Sequence, residues 1–263
     1  MKKDISVLIT GPLDDRTYES IDSYWDQGFE EIIVSTWDNE NIDLLNKTKK
    51  KYKLVTYSYP EHLKKINNQG CRFYQSFTTW KGCTLATKPF ILRTRSDELY
   101  PDLNKFIKNW EENKERVHTT DNGFWKMHPC SFSTHLFGGP TQVVKEGCKM
   151  MVLNCENKFY ENLKINYPEQ CFAIFFMLVM GKNLSDKNWK QVFYENVFIT
   201  PCSDLPGHLH SGQSFTNYKF TRAKDYPNNR PDSQVIKHQK QSLYTHHSQF
   251  IAWQKEHKFY YHW

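Results

Sequence analysis

Short apolar runs alternate with amphipathic stretches along the first hundred residues, and this pattern predicts an α/β chain. Ile5-Ser-Val-Leu-Ile-Thr10 is a β-rich run closed by the turn Gly11-Pro12. From Asp15 to Trp25, the positions of Tyr18, Ile21 and Trp25 fit one face of a helix. Glu31-Ile-Ile-Val-Ser-Thr36 is a second strand, ending at Trp37-Asp38-Asn39. A polar helix or turn over 42–51 leads to a third strand, Tyr52 to Tyr57. Residues 66–87 read as a helix carrying Arg72, Gln75 and Trp80, and Phe90 to Thr94 is the fourth strand. Strands alternating with helices predict a mostly parallel central sheet flanked by helices.

The second half is less regular. Leu103 to Glu115, Thr141 to Asn154 and Tyr167 to Met180 read as helices, and Val192 to Ile199 as an edge strand. His128 to Gly139 reads as a strand and loop, with His128 and His135 ahead of Phe137-Gly138-Gly139. From Thr200 the chain is polar, aromatic and rich in His, with Pro201, Pro206, Pro227 and Pro231. The expected organisation is a single domain over 1–200, with an irregular C-terminal extension, 201–263, packing on it.

Composition narrows the class. With 38% hydrophobic and 16% aromatic residues in 263, the chain can bury a substantial core and is not intrinsically disordered. The net charge of +6 suits a phosphate-bearing ligand but is too diffuse to predict nucleic-acid binding. The seven Cys are scattered, without a C-x-x-C pair, and read as reduced thiols of a cytoplasmic protein. Met1-Lys2-Lys3-Asp4 precedes a run too short for a signal peptide, and the apolar stretch Phe172 to Met180 cannot span a bilayer. Any membrane contact is therefore expected to be peripheral.

The candidate chemistry lies where the predicted strands end, the edge at which open α/β sheets bind ligands. The segment Leu92-Arg-Thr-Arg-Ser-Asp-Glu98 closes the fourth strand with an acidic pair. Asp97, then Glu98, are candidate ligands of a divalent cation, Mg²⁺ or Mn²⁺, held against a diphosphate. A solvated charged turn is the alternative. Arg93 and Arg95 share one face of an extended segment and can pair with a diphosphate, or with Asp97 and Glu98. Thr10-Gly11-Pro12 can seat a base or ribose, or simply turn the chain. At the end of the second strand, after Thr36, Trp37 reads equally as a stacking platform and as a core residue, and Asp38 can accept a ribose hydroxyl. Arg72 and Gln75 share a helical face. Glu169 opens an apolar helix and can serve as a base toward an acceptor hydroxyl, or as a plain first-turn acid. His210, in His208-Leu-His210, is a candidate late metal ligand.

Taken in series, Ile9-Thr-Gly-Pro12, Ile32-Ile-Val-Ser-Thr-Trp37, Arg72 to Gln75, Leu92 to Asp97, His128-Pro with Phe137-Gly-Gly139, and Pro168-Glu-Gln170 resemble the WavE lipopolysaccharide-synthesis family. The resemblance covers roughly residues 5–180 and is carried most specifically by Ser-Thr-Trp and Arg-x-Arg-Ser-Asp. It implies a GT-A-like fold, a nucleotide-sugar donor and transfer to a glycan or glycoconjugate acceptor, as in surface-polysaccharide synthesis. It also implies that Arg72 and Gln75 contribute to a donor pocket. The chain departs from an Asp-x-Asp metal motif: Arg95-Ser96-Asp97-Glu98 has a single Asp, with Ser96 in a position to serve the ribose or a metal-bound water. Rival readings are a nucleotidyltransferase, which would call for a glycine-rich phosphate loop after the first strand, and a non-catalytic carbohydrate-binding protein.

Overall fold

The computed structural model describes residues 1–59, 69–120, 133–156, 168–182, 189–201, 204–207, 209–210 and 213–214. The expected strands appear as β1 (Ile5–Thr10), β2 (Glu31–Trp37), β3 (Lys53–Tyr57) and β4 (Phe90–Arg95). Between them lie α1 (Asp15–Asp26), a 3₁₀ turn (Ile42–Lys47) and α2 (Gln69–Cys83). There follow β5 (Glu98–Leu99), α3 (Asn104–Glu112), β6 (Val117–Thr120), β7 (Leu136–Pro140), α4 (Thr141–Glu156), α5 (Pro168–Val179), α6 (Trp189–Asn196), β8 (Val197–Thr200), β9 (Leu209–His210) and β10 (Gln213–Ser214).

Seven strands form one sheet in the order β3-β2-β1-β4-β7-β6-β8, with β7 antiparallel to both its neighbours. The α/β class with a mostly parallel, helix-flanked sheet is thus as expected. The chain builds outward from β1 through β2 to β3, then returns to place β4 on the other side of β1. That reversal sets the carboxyl ends of β1 and β4 side by side, the kind of switch point at which such sheets bind ligands. A short sheet, β10-β9-β5, continues from the chain just past β4.

Strands buried on both faces explain why the apolar runs are continuous. In β1, Val7 and Ile9 join the core under α1 and α3, while Leu8 between them faces the core shared by α2, α4 and α5. Ile91 and Leu92 of β4 divide in the same way. At the amino edge, buried Glu31 accepts hydrogen bonds from Ser6, Lys53 and Thr87, tying β1, β2, β3 and the approach to β4 together.

Three segments differ from the sequence pattern or go beyond it. Residues 192–196 lie in α6, and only the last part of that apolar segment is the edge strand β8. Val117–Thr120, which carries no strand pattern, is a central strand between β7 and β8. Phe137-Gly138-Gly139 lies within the strand β7, where a Cβ at Gly138 would overlap the Trp110 ring. Among the described residues, no helix is long and apolar enough to cross a membrane, and Cys83, Cys148, Cys155 and Cys171 are buried. Most of the extension 201–263, with His128, His208, His246 and His247, lies outside the described residues.

Candidate functional site

The carboxyl ends of β1 and β4 are tied by Ser96. In the sheet Thr10 pairs with Arg95, and one residue on, the Ser96 amide donates to the Thr10 carbonyl at 3.0 Å. The Ser96 hydroxyl donates to the Pro12 carbonyl at 2.5 Å, and its own carbonyl accepts from the Thr17 hydroxyl at 3.1 Å. Gly11 has φ +128°, and a Cβ there would stand 2.6 Å from Ser96 Oγ. The glycine therefore makes room for Ser96, and the serine is a buried staple of the β1 turn. Of the two readings of Gly11 the turn is the one seen, and the Ser96 hydroxyl, expected toward a ribose or a metal-bound water, is directed to the Pro12 carbonyl.

Thr10 and Thr36 are also turned inward. The Thr36 hydroxyl donates to the Gly11 carbonyl at 2.8 Å, and Thr10 Oγ1 accepts from Arg93 Nε at 2.8 Å. Pro12 is exposed at the rim. Trp37 is 3% exposed, stacked on Phe77 at 5.6 Å and edge-on to Tyr59 and Tyr74. Of its two readings, the core residue is the one realised. Asp38 is exposed beside it, its carboxylate accepting from the Ser58 hydroxyl at 2.8 Å.

Beyond β4 the charges form a graded cluster. Arg93 is buried, bonded to Thr10 and the Thr134 carbonyl, with its guanidinium over the Phe137 ring. Burial, and then the neighbouring Arg95, push its pKa down to about 10, so it stays charged at neutral pH as an internal strut. Arg95 is the outer arginine, with its side chain 31% exposed. It grips Asp97 through both oxygens, Nε–Oδ1 2.7 Å and Nη2–Oδ2 2.5 Å. Burial works against the Arg95 charge, but Asp97 and Glu98 outweigh it and hold the pKa above its ordinary value.

Glu98 points inward, not to solvent: its side chain is 0% exposed. One oxygen accepts from Tyr100 Oη at 2.7 Å, and the other pairs with His135 Nδ1, with Arg95 Nε at 3.7 Å. Asp14 is a site residue that the sequence reading does not single out. It caps α1, accepting from the Arg16 amide at 2.9 Å, and its pKa is raised by burial and by the Asp97 charge. The D-x-x-T pattern Asp14 to Thr17, a capping box, is the signal that could have found it.

The remaining expected residues are dispersed. Arg72 and Gln75 are on α2, the Arg72 side chain outside the described residues. Glu169 is in the first turn of α5, whose main packing partner is α4. His210 is brought close by its backbone: β9 pairs with β5, placing His210 opposite Glu98, its side chain again outside the description. Among the described residues, no group of three His, Cys, Asp or Glu side chains is disposed to hold a metal ion. The Asp97 carboxylate is gripped by a guanidinium, and Glu98 is enclosed by Tyr100 and His135. The described side chains therefore do not fit the expected Mg²⁺ or Mn²⁺ site.

No known family profile matches this chain, and no curated protein matches it. Among solved structures, the crystal structure of HddC from Yersinia pseudotuberculosis aligns with 54% of this chain and 78% of its own, at 11% identity and a TM-score of 0.36. That likeness is too slight to assign fold or activity.

Proposed function

We propose that this chain is a GT-A-like glycosyltransferase that moves a sugar from a nucleotide-sugar donor to a glycan or glycoconjugate acceptor, as the resemblance to the WavE family implies. The observation that carries the reading is the Arg95–Asp97 pair at the carboxyl end of β4, where the strand order reverses, with the β1 turn and exposed Asp38 at the end of β2 on the same edge of the sheet.

In this reaction the acceptor oxygen forms a bond to the anomeric carbon. The bond from that carbon to the diphosphate breaks, its electron pair leaves with the diphosphate, and the acceptor hydroxyl proton passes to a base. Asp97 holds Arg95 from one side through Nε and Nη2, leaving Nη1 for the leaving diphosphate. Asp38 is the exposed acceptor for a ribose hydroxyl. Surface-polysaccharide assembly is the setting proposed.

The nucleotidyltransferase alternative is disfavoured by one contact. Asp14 caps the α1 N-terminus, so a carboxylate occupies the amides that a phosphate loop would offer to a nucleotide. The test is release of nucleoside diphosphate from UDP-, GDP-, CMP- and dTDP-sugars (nucleoside monophosphate from CMP-sugars) by the parent and by Arg95→Ala. The proposal expects release from one donor class and a loss of about 100-fold or more in the variant. A parent that releases nothing from any donor, with or without added Mn²⁺, contradicts it.

A further inference from the structure

One flank of the domain carries exposed lysines and exposed apolar side chains together. The segment Asn46-Lys-Thr-Lys-Lys-Lys-Tyr-Lys53 holds five lysines and no acid. It is fastened to α1 along its length. Lys47 pairs with Asp15 at 2.6 Å, the Thr48 hydroxyl bonds to Asp22, Lys50 pairs with Asp26 at 2.7 Å, and Trp25 Nε1 donates to the Lys51 carbonyl at 2.5 Å. Leu45 and Thr48 are buried beneath the strip, and all five lysines are exposed. Lys53 pairs with Glu31, whereas Lys49 and Lys51 have no acidic partner among the described residues. Among those residues the large apolar side chains left exposed are Ile42 (47%), Leu54 (37%) and Tyr194, and the first two bracket the lysine run. Leu54 is paired in register with Val34, which lies in the core under α1, so Leu54 projects on that same face of the sheet.

We propose that this flank docks on an anionic membrane surface, with the lysines against lipid phosphates and Ile42 and Leu54 at the boundary between headgroups and acyl chains. The charge is complementary: a lysine close to an anionic bilayer strengthens binding about 5-fold. The exposed pairs of Lys47 with Asp15 and Lys50 with Asp26 are weak in water and leave both lysines available. Asp15, Asp26 and exposed Asp43 offset part of the attraction, so the lysines need a second signal, which the two apolar side chains supply. They also decide between partners. A soluble polyanion would meet the lysines and leave Ile42 and Leu54 without a role, and a second copy seated by the same flank would set lysine against lysine. The fastening points run from Asp15 in the first turn of α1 to Asp26 in its last, about 16 Å of helix. The strip thus lies alongside the sheet, and docking on it leaves the carboxyl edge uncovered. This inference does not depend on the transferase reading; it gives the chain a place to act.

The test is co-sedimentation of the full chain with vesicles of phosphatidylcholine alone, and of phosphatidylcholine with phosphatidylglycerol at roughly two to one. Binding to the mixed vesicles only, weakened by added salt, is expected. Lys49→Gln combined with Lys51→Gln should weaken it about 10-fold or more. Ile42→Ser combined with Leu54→Ser should do the same, by about 10-fold. Both double variants should melt like the parent, because all four side chains are exposed. No binding to the mixed vesicles, or binding that K49Q/K51Q leaves unchanged, overturns the assignment. A loss confined to K49Q/K51Q, with I42S/L54S binding like the parent, points to a soluble acidic polymer and overturns it too. So does a dimer of the parent in gel filtration that I42S/L54S dissolves, which assigns the flank to a second copy. Nucleotide release is a separate readout, so a parent that binds vesicles but releases nothing from any donor keeps this inference and loses the transferase reading.

Discussion

Arg95 and Asp97 form a two-point clasp, Nε–Oδ1 2.7 Å and Nη2–Oδ2 2.5 Å, across a single intervening residue whose hydroxyl is anchored on the β1 turn. The clasp holds the guanidinium at the carboxyl end of β4 with its side chain partly exposed. Arg95→Lys should keep the charge but lose the planar two-point fit, because an ammonium is a single point donor. The expected outcome is a fall in donor affinity of about 10-fold or more with little change in melting temperature, checked by calorimetric titration with the donor that binds the parent. Asp97→Asn should lower affinity similarly by freeing the guanidinium to swing.

Gly11 and Ser96 are coupled by space. Gly11→Ala places a Cβ 2.6 Å from Ser96 Oγ and demands φ +128° of a residue that disfavours it. A loss of about 2–4 kcal/mol is expected by chemical denaturation. Ser96→Ala removes the clash, so the double variant should lose less than the two single losses added together.

His118 makes the fold sensitive to acid. It is stacked between Trp110 at 5.3 Å and Phe198 at 5.4 Å, with Nε2 bonded to the Asn113 carbonyl at 2.8 Å. Burial, and more weakly the Arg116 charge, push its pKa down to about 4 despite that carbonyl. The unfolded chain therefore binds a proton that the folded one does not between about pH 6.5 and 4. Stability should fall as pH drops through that window, by on the order of 3 kcal/mol from this group. His118→Phe, which keeps the aromatic stack, should flatten the slope of unfolding free energy over the same range.

Glu31 separates stability from the site. Burial raises its pKa, but Lys53, Ser6 and Thr87 outweigh this and leave it below the ordinary value. The stability it contributes is present above the unfolded carboxyl pKa and is lost as pH falls through the folded one. Glu31→Gln should lower unfolding free energy by about 2 kcal/mol. Because Glu31 lies at the amino edge, donor affinity measured well below the melting temperature should not change.

The legible and illegible parts of this fold differ in where their information lies. β1, β2 and β4 could be read because both faces of each are buried and their apolar residues are contiguous, as in Val7–Ile9 and Ile32–Val34. The strand β6 could not: after Val117 it is only His118 and two threonines, and the His118 ring is held between Trp110 of the preceding helix and Phe198 of β8, which is far away in the chain. The boundary between α6 and β8 is hard to read because only Glu195 and Asn196 separate Val192-Phe193-Tyr194 from the apolar start of the strand Val197–Thr200. At the site, Leu92 to Glu98 stood out as a charged segment at a strand end. The sequence did not reveal that Ser96 turns inward or that Glu98 is buried. The His135 that encloses Glu98 is 37 residues away, joined to it only by the antiparallel return of β7.

The most direct measure of the central claim is the melting temperature of the full chain with UDP-, GDP-, CMP- and dTDP-sugars, each with and without Mn²⁺. A ligand that binds only the folded state, at about a hundred times its Kd, adds about 2.7 kcal/mol. For a chain of this size that is a rise of roughly 5 °C or more. The account predicts that rise for one nucleotide class, and its reduction in Arg95→Ala. An unchanged melting temperature with every donor, with and without Mn²⁺, would contradict it.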